Sequence, residues 1–112
     1  MSQITTHILD TSQGKPAHDV KVTLHELYND EWLQISEGIT NKDGRIPELL
    51  PSGKIVSPGF YKFVFHISEY FKSQNIKSFY PQVTIEFEII DSSHYHVPLL
   101  LNPFGYSTYR GS

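Results

Sequence analysis

The feature that most constrains this chain is an apolar–polar alternation repeated in one short stretch after another. In "ITTHILD", residues 4–10, Ile4, Thr6 and Ile8 fall on one face, and Thr5, His7 and Leu9 on the other. "VKVTLHELY", residues 20–28, sets Val20, Val22 and Leu24 against Lys21, Thr23 and His25. "GFYKFVFHI", residues 59–67, aligns Tyr61, Phe63, Phe65 and Ile67; "QVTIEFEII", residues 82–90, aligns Val83, Ile85, Phe87 and Ile89. A period of two buries one face of a strand, whereas a helix repeats near 3.6.

Turn chemistry separates these stretches. "TSQGKPAHD", residues 11–19, reads as a loop, and Asn29-Asp30 turns the chain into a further strand, "EWLQISEG", residues 31–38. Asp43-Gly44 makes a tight turn with Arg45 at its exit. Pro47, Pro51 and Pro58 exclude residues 46–58 from helix and from central strand. One short helix fits, over residues 68–75, with Ser68 as N-cap and Glu69 near its positive end. "HYHVPLLL", residues 94–101, and "FGYSTY", residues 104–109, close the series. Seven or eight strands at roughly ten-residue spacing predict an all-β sandwich or barrel. At 112 residues, it is read as one domain spanning 1–112.

The sequence contains no cysteine, which excludes disulfides and thiolate metal sites. A formal charge of −3 argues against nucleic acid as a partner. No stretch approaches the ~18 apolar residues of a membrane helix. "MSQITTHILD" lacks the pattern of a secretory signal, so the expected location is cytoplasmic, with a peroxisomal one as the alternative although the final "RGS" is not the usual "SKL" address.

Chemistry is sought among the six histidines, at 7, 18, 25, 66, 94 and 96. No G-x-S-x-G elbow and no phosphate-cradling glycine loop is present. His7 lies opposite Thr6 and Ile8 and so points out of the sandwich, where a histidine is ordinarily just solvated. His94 and His96 share a strand face. Such a pair can chelate zinc or copper, but no carboxylate completes the set at obvious spacing, so no metal is expected. His18 falls in a loop and His25 and His66 on outward faces, so these three, like His94, receive no role. Residues 97–101 are apolar on both faces, which predicts a partner subunit packed on that strand with His96 near the interface.

"THILDTSQGKPA", "TNKDGR" and "HYHVPLLLNPFGYSTYRGS", in this order, resemble the transthyretin-related family and, within it, the 5-hydroxyisourate hydrolase branch. The terminal Tyr-Arg-Gly-Ser is the most specific element, since it separates the hydrolases from the hormone-carrying transthyretins. Asn102 before Pro103, where serine is expected, is one departure outside the motif residues. The resemblance implies an eight-stranded, two-sheet transthyretin-like sandwich with one short helix. It implies a homotetramer, a dimer of dimers, with His7, His96 and Tyr109 facing a central channel that the Tyr109 ring narrows.

It also implies hydrolysis of 5-hydroxyisourate in urate breakdown, by water attack on a ring carbonyl, without metal or cofactor. His7, Arg45, His96 and Ser112 take the catalytic positions. Tyr109, Arg110 and Gly111 join them in holding substrate, and the chain's end becomes part of the site. His7 or His96 would activate water while the other positions it or relays protons. Arg45 would hold the anionic substrate and its oxyanion. The alternative readings are a small-molecule carrier on the same fold and a metal-binding sandwich using His7, His94 and His96.

Overall fold

The computed structural model describes residues 1–112. The expected strands form at β1 (Ile4–Asp10), β3 (Lys21–Tyr28), β4 (Glu31–Ile39), β5 (Gly59–His66), β6 (Val83–Ile89), β7 (Tyr95–Asn102) and β8 (Gly105–Thr108). The remaining strand, β2 (Lys15–Pro16), lies inside the stretch read as loop. Gly14 takes φ +66°, which folds the chain back so that Lys15 and Pro16 pair with Asp10 and Leu9. Proline is tolerated there because β2 is a sheet edge.

Two four-stranded sheets result, in the orders β2-β1-β7-β8 and β4-β3-β5-β6. Their inner faces are the apolar faces read from the alternation. Ile4, Ile8, Val22, Leu24, Tyr61, Phe63, Phe65, Ile89, Leu99 and Leu101 are all fully buried. Burial fixes the register, because a slip by one residue would turn each of these sets to solvent. The β1–β7 pairing is parallel and joins the two ends of the chain. It sets Thr5 opposite His96 and His7 opposite Pro98.

Helix α1 (Ser68–Lys72) is a single turn. Ser68 is not its N-cap: Ile67 holds the cap position with no side-chain hydrogen bond, and Ser68 is the first helical residue. Ile67 and Phe71 are both in the core, so burial rather than capping sets where the turn begins. Asn75, at φ 62°, ends the element.

Behind β1 lies a buried polar knot. Asp10 is fully buried and accepts from the Tyr70 hydroxyl at 2.7 Å, the Ser12 hydroxyl at 2.6 Å and Gln13 Nε2 at 3.0 Å. Burial pushes its carboxyl up, but the bonds from Ser12, Tyr70 and Gln13 outweigh this and leave it below its ordinary value. Burial, and then the same bond, push the Tyr70 phenol up to about 12. Tyr70→Phe is expected to cost about 1–3 kcal/mol in a urea titration, because it removes a buried donor from a charged acceptor. A depressed carboxyl stabilises the fold above its unfolded-state value and loses that contribution as pH falls through the folded one. The Tyr70→Phe penalty should therefore shrink below about pH 4. An unchanged urea midpoint at pH 7 would show that this bond contributes nothing.

Candidate active site

Four segments bring side chains onto the outer face of the β1–β7 pair. Strand β1 contributes Thr5 and His7, which alternate with the buried Ile4, Thr6 and Ile8. Strand β7 and the residue before it contribute His94, His96 and Pro98. Arg45 arrives on the turn after β4, and Tyr109 and Ser112 arrive on the segment after β8. These residues line one cavity of about 730 Å³, together with Asn41 and Glu48.

Two of the three histidines on this cavity are tied to a neighbouring segment by a backbone bridge. His7 pairs with Arg45 and His96 with Gly111, in single-residue antiparallel bridges. The Ile8 amide donates to the Gly44 carbonyl at 2.9 Å, and the Gly111 amide donates to the His96 carbonyl at 2.8 Å. Gly44 has φ +75°, and a Cβ on it would stand 2.5 Å from the Ile8 carbonyl oxygen. Only glycine lets the turn approach β1 so closely. Asn41 shapes the same turn: its Oδ1 accepts from the Asp43 amide at 2.9 Å and the Arg45 amide at 3.1 Å.

The electrostatics favour neutral imidazoles beside a free cation. Burial and then the Arg45 charge lower the proton affinity of His7; the Asp43 backbone and carboxylate oppose them without reversing the shift. His96 is lowered by burial, then by Arg45, His94 and His7. Arg45 is exposed and takes part in neither of the two ion pairs, His18–Asp19 and Lys21–Glu37. Its guanidinium is left with five donors and no protein carboxylate to answer them.

Five of the seven candidate positions therefore share the cavity: His7, Arg45, His96, Tyr109 and Ser112. Gly111 acts through its backbone: a Cβ there would lie 2.6 Å from His96 Cδ2, so the missing side chain is space that the ring occupies. Arg110 is turned away. Its guanidinium stacks 4.2 Å above the Tyr95 ring and donates to the His94 carbonyl at 3.3 Å, which pins the last residues against β7. The apolar stretch of β7 is partly covered within the chain, since Pro98 is buried and Leu100 half-buried.

The two cavity residues in contact with one another beside His96, Thr5 and His94, were not selected from sequence. Thr5 shares a strand face with His7, and His94 shares one with His96; those alternations were the available signals. Thr5 Oγ1 sits 2.7 Å from His96 Nδ1 and 2.8 Å from His94 Nε2. No three His, Asp or Glu side chains converge as a metal-binding set.

Residues 4–111 match the family model described as the HIUase/Transthyretin family. A curated protein of Salmonella dublin, named 5-hydroxyisourate hydrolase, is 46% identical over 97% of this chain and 80% of its own length. The solved structure of Klebsiella pneumoniae 5-hydroxyisourate hydrolase is 36% identical, covers 97% of this chain and 92% of that one, and superposes with a TM-score of 0.81. Sea bream transthyretin, solved in complex with thyroxine, is 28% identical over 98% of this chain and 95% of its own, with a TM-score of 0.91. Both neighbours share this fold, one of them a hydrolase and the other a transthyretin with bound thyroxine.

Proposed function

This chain belongs to the HIUase/transthyretin family, and from that membership we propose that it hydrolyses 5-hydroxyisourate. The product would be 2-oxo-4-hydroxy-4-carboxy-5-ureidoimidazoline. The observation that carries the reading is the meeting of two neutral-leaning histidines and an unpaired arginine on one cavity.

Opening an amide ring with water requires a base, a site for the oxyanion, and a proton for the departing nitrogen. His7 fits the base. Burial and the Arg45 charge favour its neutral form, in which one ring nitrogen carries a lone pair. The water oxygen bonds to the ring carbonyl carbon, the carbonyl electron pair moves onto oxygen, and the water proton passes to His7. Arg45 meets the new oxyanion with its donor fork. The C–N bond then breaks with its electron pair on nitrogen, which takes the proton held by His7. His96, neutral at working pH, donates a hydrogen bond to the reacting carbonyl. Tyr109 and Ser112 bound the space in which the purine-like ring sits. None of these steps calls on a metal or a cofactor.

Uricase acting on urate generates the substrate in place, and its ultraviolet decay is followed with and without this protein. Strong acceleration that survives chelator supports the reading. No acceleration by the folded protein, joined to saturable thyroxine binding, would replace it with the carrier reading that the sea bream likeness suggests. The resemblance also leads us to expect a homotetramer, to be checked by sedimentation.

Gly111→Ala tests the packing behind His96. Its methyl would meet the ring at 2.6 Å, and displacement of a reacting group by about 1 Å costs on the order of 10²-fold in rate. The expected result is a fall in kcat of about 10–100-fold with an unaltered far-ultraviolet dichroism spectrum. Full activity in Gly111→Ala would mean that His96 tolerates the shift and is not held for chemistry.

A further inference from the structure

The contact of Thr5 with two histidines has a consequence for the proton on His96. The Thr5 hydroxyl is within hydrogen-bond distance of both His96 Nδ1 and His94 Nε2. The two rings are near-parallel, 22° apart in plane, with centroids 6.3 Å apart. A hydroxyl has one proton to give and lone pairs to accept with. It can donate to only one of these nitrogens, and the other must bring its own proton. While both rings are neutral, at least one of them must therefore donate to Thr5, which couples their tautomers.

Two orders pass the Thr5 proton to a ring; a third, in which both rings donate to Thr5 Oγ1, gives His96 the same Nδ1–H tautomer as the second. In the first, His94 Nε2–H donates to Thr5 and Thr5 donates to His96 Nδ1, so His96 presents Nε2–H. In the second, His96 Nδ1–H donates to Thr5 and Thr5 donates to His94 Nε2, so His96 presents a lone pair. His96 Nε2 makes no hydrogen bond within the protein, and the ring lines the cavity, so this choice is what substrate meets. The second order would set a second acceptor beside the His7 lone pair. The first gives the cavity one base, one neutral donor and one cation.

We infer that Thr5 and His94 are positioning residues that hold His96 as its Nε2–H tautomer, so that it faces the reacting carbonyl as a donor. The inference rests on the hydrolase reading for its purpose, but the tautomer itself is a property of the free protein. The nitrogen that carries the proton is set by the hydrogen bond the other nitrogen makes. Thr5→Val removes the hydroxyl at nearly constant volume and frees both rings. Thr5→Ser restores it.

Long-range ¹H–¹⁵N spectra of the labelled protein at neutral pH read the ring nitrogens directly. In the wild type, His96 is expected to show a pyrrole-type Nε2 and a pyridine-type Nδ1. In Thr5→Val the two shifts should move toward each other as the second tautomer fills, and kcat should fall about tenfold with little change in KM. Thr5→Ser should recover both signals and rate. His94→Phe, at a half-exposed position, should loosen the lock in the same direction and covers the case in which Thr5→Val does not fold. A wild-type His96 protonated at Nδ1 would overturn the inference. A single Nε2–H tautomer that persists in either variant would also overturn it. If the wild type leaves 5-hydroxyisourate untouched, the hydrolase reading fails while the spectra still decide the lock.

Discussion

Replacing His7 with asparagine is expected to lower kcat by about 10²–10⁴-fold, the usual loss when a positioned general base is removed. The side chain is half-buried on a strand whose register is fixed by Ile4, Thr6 and Ile8 on its other face, so the change should leave the fold intact. The pH profile gives the same claim a second test. A base must be neutral to work. Burial and Arg45 move the His7 proton affinity below the ordinary value of 6.5, so the working form persists into mildly acidic solution. The kcat/KM profile should be flat through neutrality and should fall only as pH descends below about 6.5. The measurement is the decay of uricase-generated substrate across pH, for wild type and His7→Asn. A variant with the wild-type rate would remove His7 from the mechanism, and a profile whose midpoint lay above 6.5 would contradict the electrostatics of the cavity.

The alternation of apolar residues was enough to place most of the strands and their inner faces, because burying one face of a strand depends on nothing but period and register. It was enough to show that His7 points outward; residues 97–101 are apolar on both faces, so the placement of His96 on the channel came from the family resemblance. The pairing of β1 with β7 was not legible. That pairing is parallel and spans about ninety residues of sequence, and no local signal encodes a contact so distant. Thr5 and His94 were missed for the same reason: each looks like an ordinary outward residue until the register sets Thr5 beside His96. Two smaller differences have local causes. Strand β2 exists because Gly14 turns the chain at positive φ, and the helix begins after Ile67 because core burial outweighed the capping preference of Ser68. The turn of Arg110 toward Tyr95 depends on a cation–π contact that sequence does not announce.

Arg45→Ala is expected to reduce kcat/KM by about 10²–10³-fold, the loss typical of removing one oxyanion donor. The guanidinium has no carboxylate of its own, so nothing in the protein would be left unpaired by its removal, and the cost should fall on catalysis rather than stability. Its backbone is held independently, through Asn41 and the pairing with His7, and the turn should keep its shape. The charge of Arg45 does a second thing: after burial, it is the next largest influence lowering the proton affinity of both His7 and His96. Arg45→Ala should therefore move the acid limb of the pH profile upward as well as lowering its plateau. Arg45→Lys separates the two effects. A lysine keeps the charge and so should keep the limb near its wild-type position, but its ammonium cannot present the planar fork, and the plateau should stay well below wild type. If Arg45→Lys restored the plateau, charge alone would account for the residue. If Arg45→Ala left the limb in place, the two histidines would not feel the cation, and the neutral imidazoles on which the mechanism depends would need another cause.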